Sequence, residues 1–208
     1  PESVASNIPP YYFYDIQSHV FSDITSKDRV SLSYYSGIDD IIFDTFGLDG
    51  RWGNNTISGH YRRVFSERLV GNFLLANSRF FTEFGLGGDY GLVSFNEIDD
   101  NTLSGDFSWF KSSNSTIKFG SQIKRLGFEY TNKFNDSTQF EIKTDPIEFA
   151  NYIKLKYEPN DLMIVEPGLR LNYYNVYPDS LYPDLRLGFK YILSDDRYLN
   201  LSIGNYHQ

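Results

Sequence analysis

The stretch DLRLGFKYILSDDRYLNLSIG, residues 184–204, alternates apolar and polar residues, breaks at a polar tetrad, and alternates again. Leu185, Leu187, Phe189 and Tyr191 share one parity, while Asp184, Arg186, Gly188 and Lys190 share the other. After Ser194, Asp195, Asp196 and Arg197 the second arm sets Leu199, Leu201 and Ile203 against Asn200, Ser202 and Gly204. A period of two is the signature of a β-strand, and two such arms around a short polar turn predict a hairpin. A soluble sandwich alternates as well, so the hairpin leaves open which solvent each face meets.

The rest of the chain narrows that choice. Aromatic residues make up 18% of 208, with 17 Tyr and 18 Phe, which suits strands whose ends sit at a membrane interface. The mean hydropathy is only −0.41, and no run approaches the ~20 apolar residues of a spanning helix. A barrel strand turns only alternate residues to lipid, so low mean hydropathy is compatible with spanning strands. The absence of Cys excludes a disulfide scaffold and a thiolate metal site. A net charge of −8, with scattered Lys and Arg, argues against nucleic acid as a partner. Pro1 opens the sequence without Met or a leader, so it reads as an excerpt of a longer protein.

Ten strand patterns follow one another: 11–22, 29–37, 51–65, 69–84, 102–112, 116–130, 146–157, 162–175, and the two arms of the opening hairpin. Connections after the first, third, fifth, seventh and ninth are tight, and those between are longer. An up-and-down meander with tight turns at one end and long loops at the other is the plan of an outer-membrane barrel. Greek-key sandwiches would mix the two kinds. Many patterns also exceed the ~5 to 6 residues of ordinary strands. The expected fold is therefore all-β: an antiparallel up-and-down transmembrane β-barrel, partial, of about ten strands. Residues 1–208 form a single partial barrel domain, and the polar parity, including Lys118, Gln122, Lys154 and Arg170, lines a hydrated lumen. A porin, a barrel enzyme and a soluble β-rich binding or adhesin domain are the alternatives.

Signatures of chemistry are sparse. His19, His60 and His207 are far apart, and no Cys or second His stands at zinc-ligand spacing, so no metal or other cofactor is expected. No GxSxG, phosphate loop or Cys and His pairing occurs, and the chain is read as not an enzyme. Asp39 with Asp40 and Asp99 with Asp100 read as solvated loop charge without calcium-loop spacing, and Asp195 with Asp196 as turn residues. In EPGLRLNYY, Pro167 can donate no ladder bond, so a bulge or an unpaired position is expected there. Ligand contacts are sought in the three long segments 37–52, 85–100 and 132–145. There Phe43, Phe46, Trp52 and Tyr90 could stack on a sugar ring or an aromatic siderophore, or instead pin the loops together.

Several segments resemble the barrel of TonB-dependent outer-membrane receptors. They are WGNNTISGHYRRVFSERLVGNFLLANSRF, FSWFKSSNSTIKFGSQIKRLGF, and EPGLRLNYY followed by YPDLRLGFKYILSDDRYLNLSIGNYHQ. The resemblance implies the middle of a barrel of about 22 strands filled by a plug. It implies a place in the outer membrane of a Gram-negative bacterium, against membrane lipid. It also implies import of a scarce nutrient (siderophore, vitamin or oligosaccharide), energised through the TonB complex. The implied partners are the protein's own plug domain, absent from this sequence with the remaining strands, the TonB complex, a small-molecule or oligosaccharide ligand, and a surface lipoprotein.

Overall fold

The computed structural model describes residues 10–43, 47–87, 91–175 and 180–207. They form eleven strands: β1 (Tyr11–Asp23), β2 (Asp28–Phe43), β3 (Leu48–Ser66), β4 (Leu69–Leu86), β5 (Leu92–Ser112), β6 (Ser115–Phe134), β7 (Ser137–Thr144), β8 (Ile147–Asn160), β9 (Met163–Tyr174), β10 (Ser180–Ser194) and β11 (Arg197–Gly204). All pairings are antiparallel. The sheet runs β1-β2-β3-β4-β5-β6-β8-β9-β10-β11, with β7 also paired to β6. It is an open meander, with β1 and β11 at its edges.

Register assigns the two faces. One row across the strands reads Val20, Leu32, Gly59, Leu75, Leu103, Ile123, Phe149, Tyr173, Leu181. Its side chains lie open, Leu75 at 67% and Leu103 at 53% exposure. The opposite face is largely polar, and the buried residues of the sheet other than glycine lie on it. Asn172 is 1% exposed, Asp184 2% and Ala150 1%. Side chains crowd on the concave side of a curved sheet and splay on the convex side. The polar face is thus the inside of the curve, and the apolar face is outside.

On the outer face the rings of Tyr61, Phe73, Phe107 and Phe119 form a ladder, with centroids 5.8, 5.6 and 5.2 Å apart. Phe65 joins at 6.0 Å from Phe107. Each such pair contributes about 0.5–1.5 kcal/mol beyond area burial. Such an exposed apolar band is unsuited to water and is the surface that lipid covers. Along β10 the outer residues from Leu181 to Leu193 are all apolar. At about 3.3 Å per residue and a tilt of 35–45°, that run rises ~30 Å, the height of a bilayer's apolar layer with its interfaces.

Three segments read as long loops are largely strand. Residues 37–43 extend β2, residues 48–52 begin β3, residues 92–100 begin β5, and 132–145 holds the end of β6 and all of β7. The chain therefore forms eleven strand segments, ten of them in sequence across the sheet, with short connections at both ends. The turn between β6 and β7 is made by Asn135 and Asp136, at φ 49° and 58°. Both values are left-handed, as a type I′ turn requires and as Asn and Asp tolerate. Asp39, Asp40, Asp99 and Asp100 accordingly sit in strands and not in loops. Above the lipid band both faces of a strand meet water, so the hydrophobic alternation that marks a strand fades there.

β7 and β8 are one strand with a break. Phe128 pairs with Thr144 and Arg125 with Ile147, which is the same register on either side of Asp145 and Pro146. The Leu126 amide still donates to the Pro146 carbonyl at 2.9 Å. Arg125 holds the break from outside, with two nitrogens on the Asp145 carboxylate (Nε to Oδ1, 2.8 Å). That guanidinium holds the Asp145 carboxyl below its ordinary range. At Pro167 the ladder to β8 lapses between the Lys154–Gly168 and Tyr157–Val165 pairs and resumes in the same register. The expected unpaired position is thus present. The bulge of this pair of strands lies further on, between Tyr157 and Asn160.

Candidate functional site

The inner wall has two zones. The first, from the tight-turn end up to Asp100 in β5 and to Glu148 and Asp184 near the far ends of β8 and β10, is a web of paired charges. Lys124 meets Asp100 at 2.9 Å, Arg170 meets Glu148 at 3.1 Å, and Lys154 meets Glu166 at 3.0 Å. Asn172 donates to Asp184 at 2.9 Å, and His207 lies 2.6 Å from the other Asp184 oxygen, its ring stacked on Tyr182. Tyr152 donates to Asp106 at 2.6 Å. These pairs satisfy one another, as buried polar groups require, and make a hydrated, rigid lining. His60 is on this inner face, and the His19 ring nitrogen is 2.8 Å from the Ser33 hydroxyl. Among the described residues no cluster of three His, Cys, Asp or Glu could hold a metal.

Away from the tight turns the inner wall becomes aromatic. One row reads Phe13, Asp39, Trp52, Thr82, Asn96, Tyr130, Ile142. The row on its lower side reads Asp15, Gly37, Asn54, Phe80, Ile98, Phe128, Thr144, and the row above includes Ile41, Gly50 and Phe84. Trp52 is thus on the inner face, 37% exposed. Tyr130 receives hydrogen bonds from Ser94, at 3.3 Å, and Asn132, which together hold its phenol below the ordinary value. The Asn96 Oδ1 acceptor is buried and has no partner among the described residues. Tyr35 donates to Asp15 at 2.7 Å, and Tyr11 donates to Asp39. Gly37 leaves room for this, since a Cβ there would sit 2.5 Å from the Asp15 oxygen.

Of the four candidate contact residues, the structure brings two to this wall. Trp52 is in its middle, and Phe43 stands at its upper margin, half-buried at the end of β2. Phe46 and Tyr90 lie outside the described residues. Sequence reasoning missed Phe13, Phe80, Phe84, Phe128 and Tyr130. Counting parity outward from Lys124 along β6 finds Phe128 and Tyr130, while Phe80, Phe84 and Phe13 follow only by pairing.

No family model matches the sequence, and no curated protein sequence does. The fold is similar to that of several solved structures. The ferric-catecholate import receptor Fiu from Escherichia coli K12 superposes with a TM-score of 0.74 at 9% identity, over 93% of this chain and 43% of that one. The siderophore receptor PirA from Pseudomonas aeruginosa gives 0.71 at 14%, over 93% and 32%. The copper transporter OprC gives 0.75 at 13%, over 94% and 36%. The fold is that of the TonB-dependent receptor barrel. It is an outer-membrane fold, and the apolar outer face is its lipid-facing wall. The neighbours are receptors and transporters rather than enzymes. The chain spans less than half the length of each of these chains.

Proposed function

We propose that the chain is the central sector of a TonB-dependent receptor in a Gram-negative outer membrane, and that it helps capture a scarce nutrient for energised uptake. Residues 1–208 are then one partial barrel domain of a longer protein, completed by further strands and a plug, with the TonB complex as energy source. The observation that carries this reading is the change of the inner wall along its height. Over the lipid band it is a lattice of ion pairs fit to face a plug, and beyond the membrane it turns into an open aromatic surface fit to face a ligand. Trp52, Phe80, Phe128 and Tyr130 provide the stacking surface, and Thr82 and Asn96 provide hydrogen-bonding groups between them. Siderophores, vitamins and oligosaccharides all present rings that such a wall can hold.

The test is uptake by cells carrying the full-length receptor, against a deletion strain, using labelled ferric siderophores, copper, cobalamin and maltodextrins. Uptake of one of these that needs the receptor, stops when the proton gradient is collapsed, and falls at least tenfold in Trp52→Ala supports the reading. Uptake indifferent to the gradient would sink it.

A further inference from the structure

Charge is sorted between the two faces of the upper wall. A cross-strand row on the inner face reads Ser33, Ser58, Ala76, Thr102, Lys124. Beyond it, away from the tight turns, the inner positions of β1 to β7 carry three carboxylates, Asp15, Asp39 and Asp100, and no Lys, Arg or His among the described residues. The cations at those heights all take outer positions. Arg79 pairs with Glu97 at 2.6 Å, Lys143 pairs with Glu129 at 2.9 Å, Arg125 pairs with Asp145, and Arg51 lies over the Phe81 ring. Lys133 has the outer parity as well.

Of the three inner carboxylates only Asp100 is neutralised, by Lys124 at 2.9 Å. Asp15 and Asp39 accept tyrosine hydroxyls, which supply hydrogen bonds but no positive charge. Asp39 sits between Phe13 and Trp52 in its row. A carboxylate flanked by aromatic faces attracts cations twice over, through its charge and through the negative faces of the rings. The buried Asn96 Oδ1 adds an acceptor without a donor among the described residues on the same wall. A net charge of −8 on the sequence adds a long-range field that concentrates cations.

We propose that this wall selects a cationic ligand with a flat or aromatic face, and disfavours anions. The inference rests on the reading of the inner wall as the ligand face. Anionic chelates would meet uncompensated carboxylates there, and would find the cations only below the Lys124 row or behind the sheet.

The experiment is calorimetric titration of the purified full-length receptor in neutral detergent at low ionic strength. The probes are methyl viologen, a flat dication, and 1,5-naphthalenedisulfonate, a flat dianion. Methyl viologen is expected to bind about tenfold or more tighter than the disulfonate. The double variant Asp15→Asn with Asp39→Asn is expected to lose that difference, and Asp39→Glu to keep it, each variant being checked for a folded barrel by heat-modifiable gel mobility. A disulfonate that binds equally or more tightly, a preference that survives both Asn changes, or failure of both probes to bind overturns the proposal. Trp52→Leu separates it from the reading beneath it. Equal binding of both probes that Trp52→Leu weakens removes the charge selectivity alone, whereas binding that Trp52→Leu leaves unchanged removes the ligand wall itself.

Discussion

Leu187 tests the assignment of the faces. It lies at the midpoint of the apolar run from Leu181 to Leu193, points outward between Pro167 and Ile203, and is 46% exposed. Half of a ~30 Å rise places it about 15 Å from either edge of the band, at the depth where a charge cannot reach water. Leu187→Arg should therefore cost about 2–4 kcal/mol, the range for Arg at the midplane of a barrel. That corresponds to roughly 30- to 1000-fold in the folding equilibrium. Ser202 belongs to the neighbouring strand but to the inner parity, opposite Gly188. Ser202→Arg adds the same charge to a hydrated wall and should cost less than about 1 kcal/mol. The assay is guanidinium unfolding of the full-length receptor in short-chain phosphatidylcholine vesicles, followed by tryptophan fluorescence. Equal costs for the two substitutions, or a larger cost for Ser202→Arg, would refute the lipid assignment, because a soluble sheet has no reason to rank them this way.

Phe107→Ala removes the hub of the outer ring ladder, with contacts to Phe65, Phe73 and Phe119; lipid refills part of the gap, so a loss of about 1–3 kcal/mol is expected in the same unfolding assay. The Arg125 and Asp145 clamp carries a pH dependence whose sign follows from the lowered Asp145 pKa. Its stabilisation is present above the unfolded carboxylate value of 3.8 and is lost as pH falls through the still lower folded value. Amide exchange in β7 should therefore stay slow relative to intrinsic rates down to about pH 4 and accelerate below, with Asp145→Asn fast at every pH. Pro167→Val restores an amide donor where the β8 ladder lapses, and should raise stability by about 0.5–1.5 kcal/mol if the freed carbonyl is met; an unchanged midpoint would show that the gap is set by something other than the missing N–H.

How much of this was legible in the sequence depended on the solvent at each height. Within the lipid band every strand announced itself, because Leu103, Phe107 and Trp109 alternate with Ser104, Asp106 and Ser108. The same strand, β5, continues up to Leu92, but Glu97 and Asp99 on its outer face and Asn96 and Asp100 on its inner face erase the contrast. A strand in water on both sides is held by its ladder, and the ladder leaves no hydrophobic period to read. The candidate wall was half visible for the same reason. Trp52 stood out as a large aromatic beside a long polar stretch, while Phe80 looked like an ordinary member of a strand whose inward direction only pairing could give. The turn at Asp195 and Asp196 was read correctly, and Ser194 donates to the Asp196 carboxylate at 2.7 Å as a tight turn favours.

The break between β7 and β8 has an evolutionary reach. Because pairing with β6 counts the same on both sides of Asp145 and Pro146, the hairpin beyond them is an appendage that the membrane-spanning ladder does not depend on. Residues added or exchanged around Asn135 and Asp136 alter this tip alone and leave the pairing of β6 with β8 in register. Such a tip is free to vary in length and sequence, and it offers a natural point for grafting a foreign epitope without rewriting the barrel.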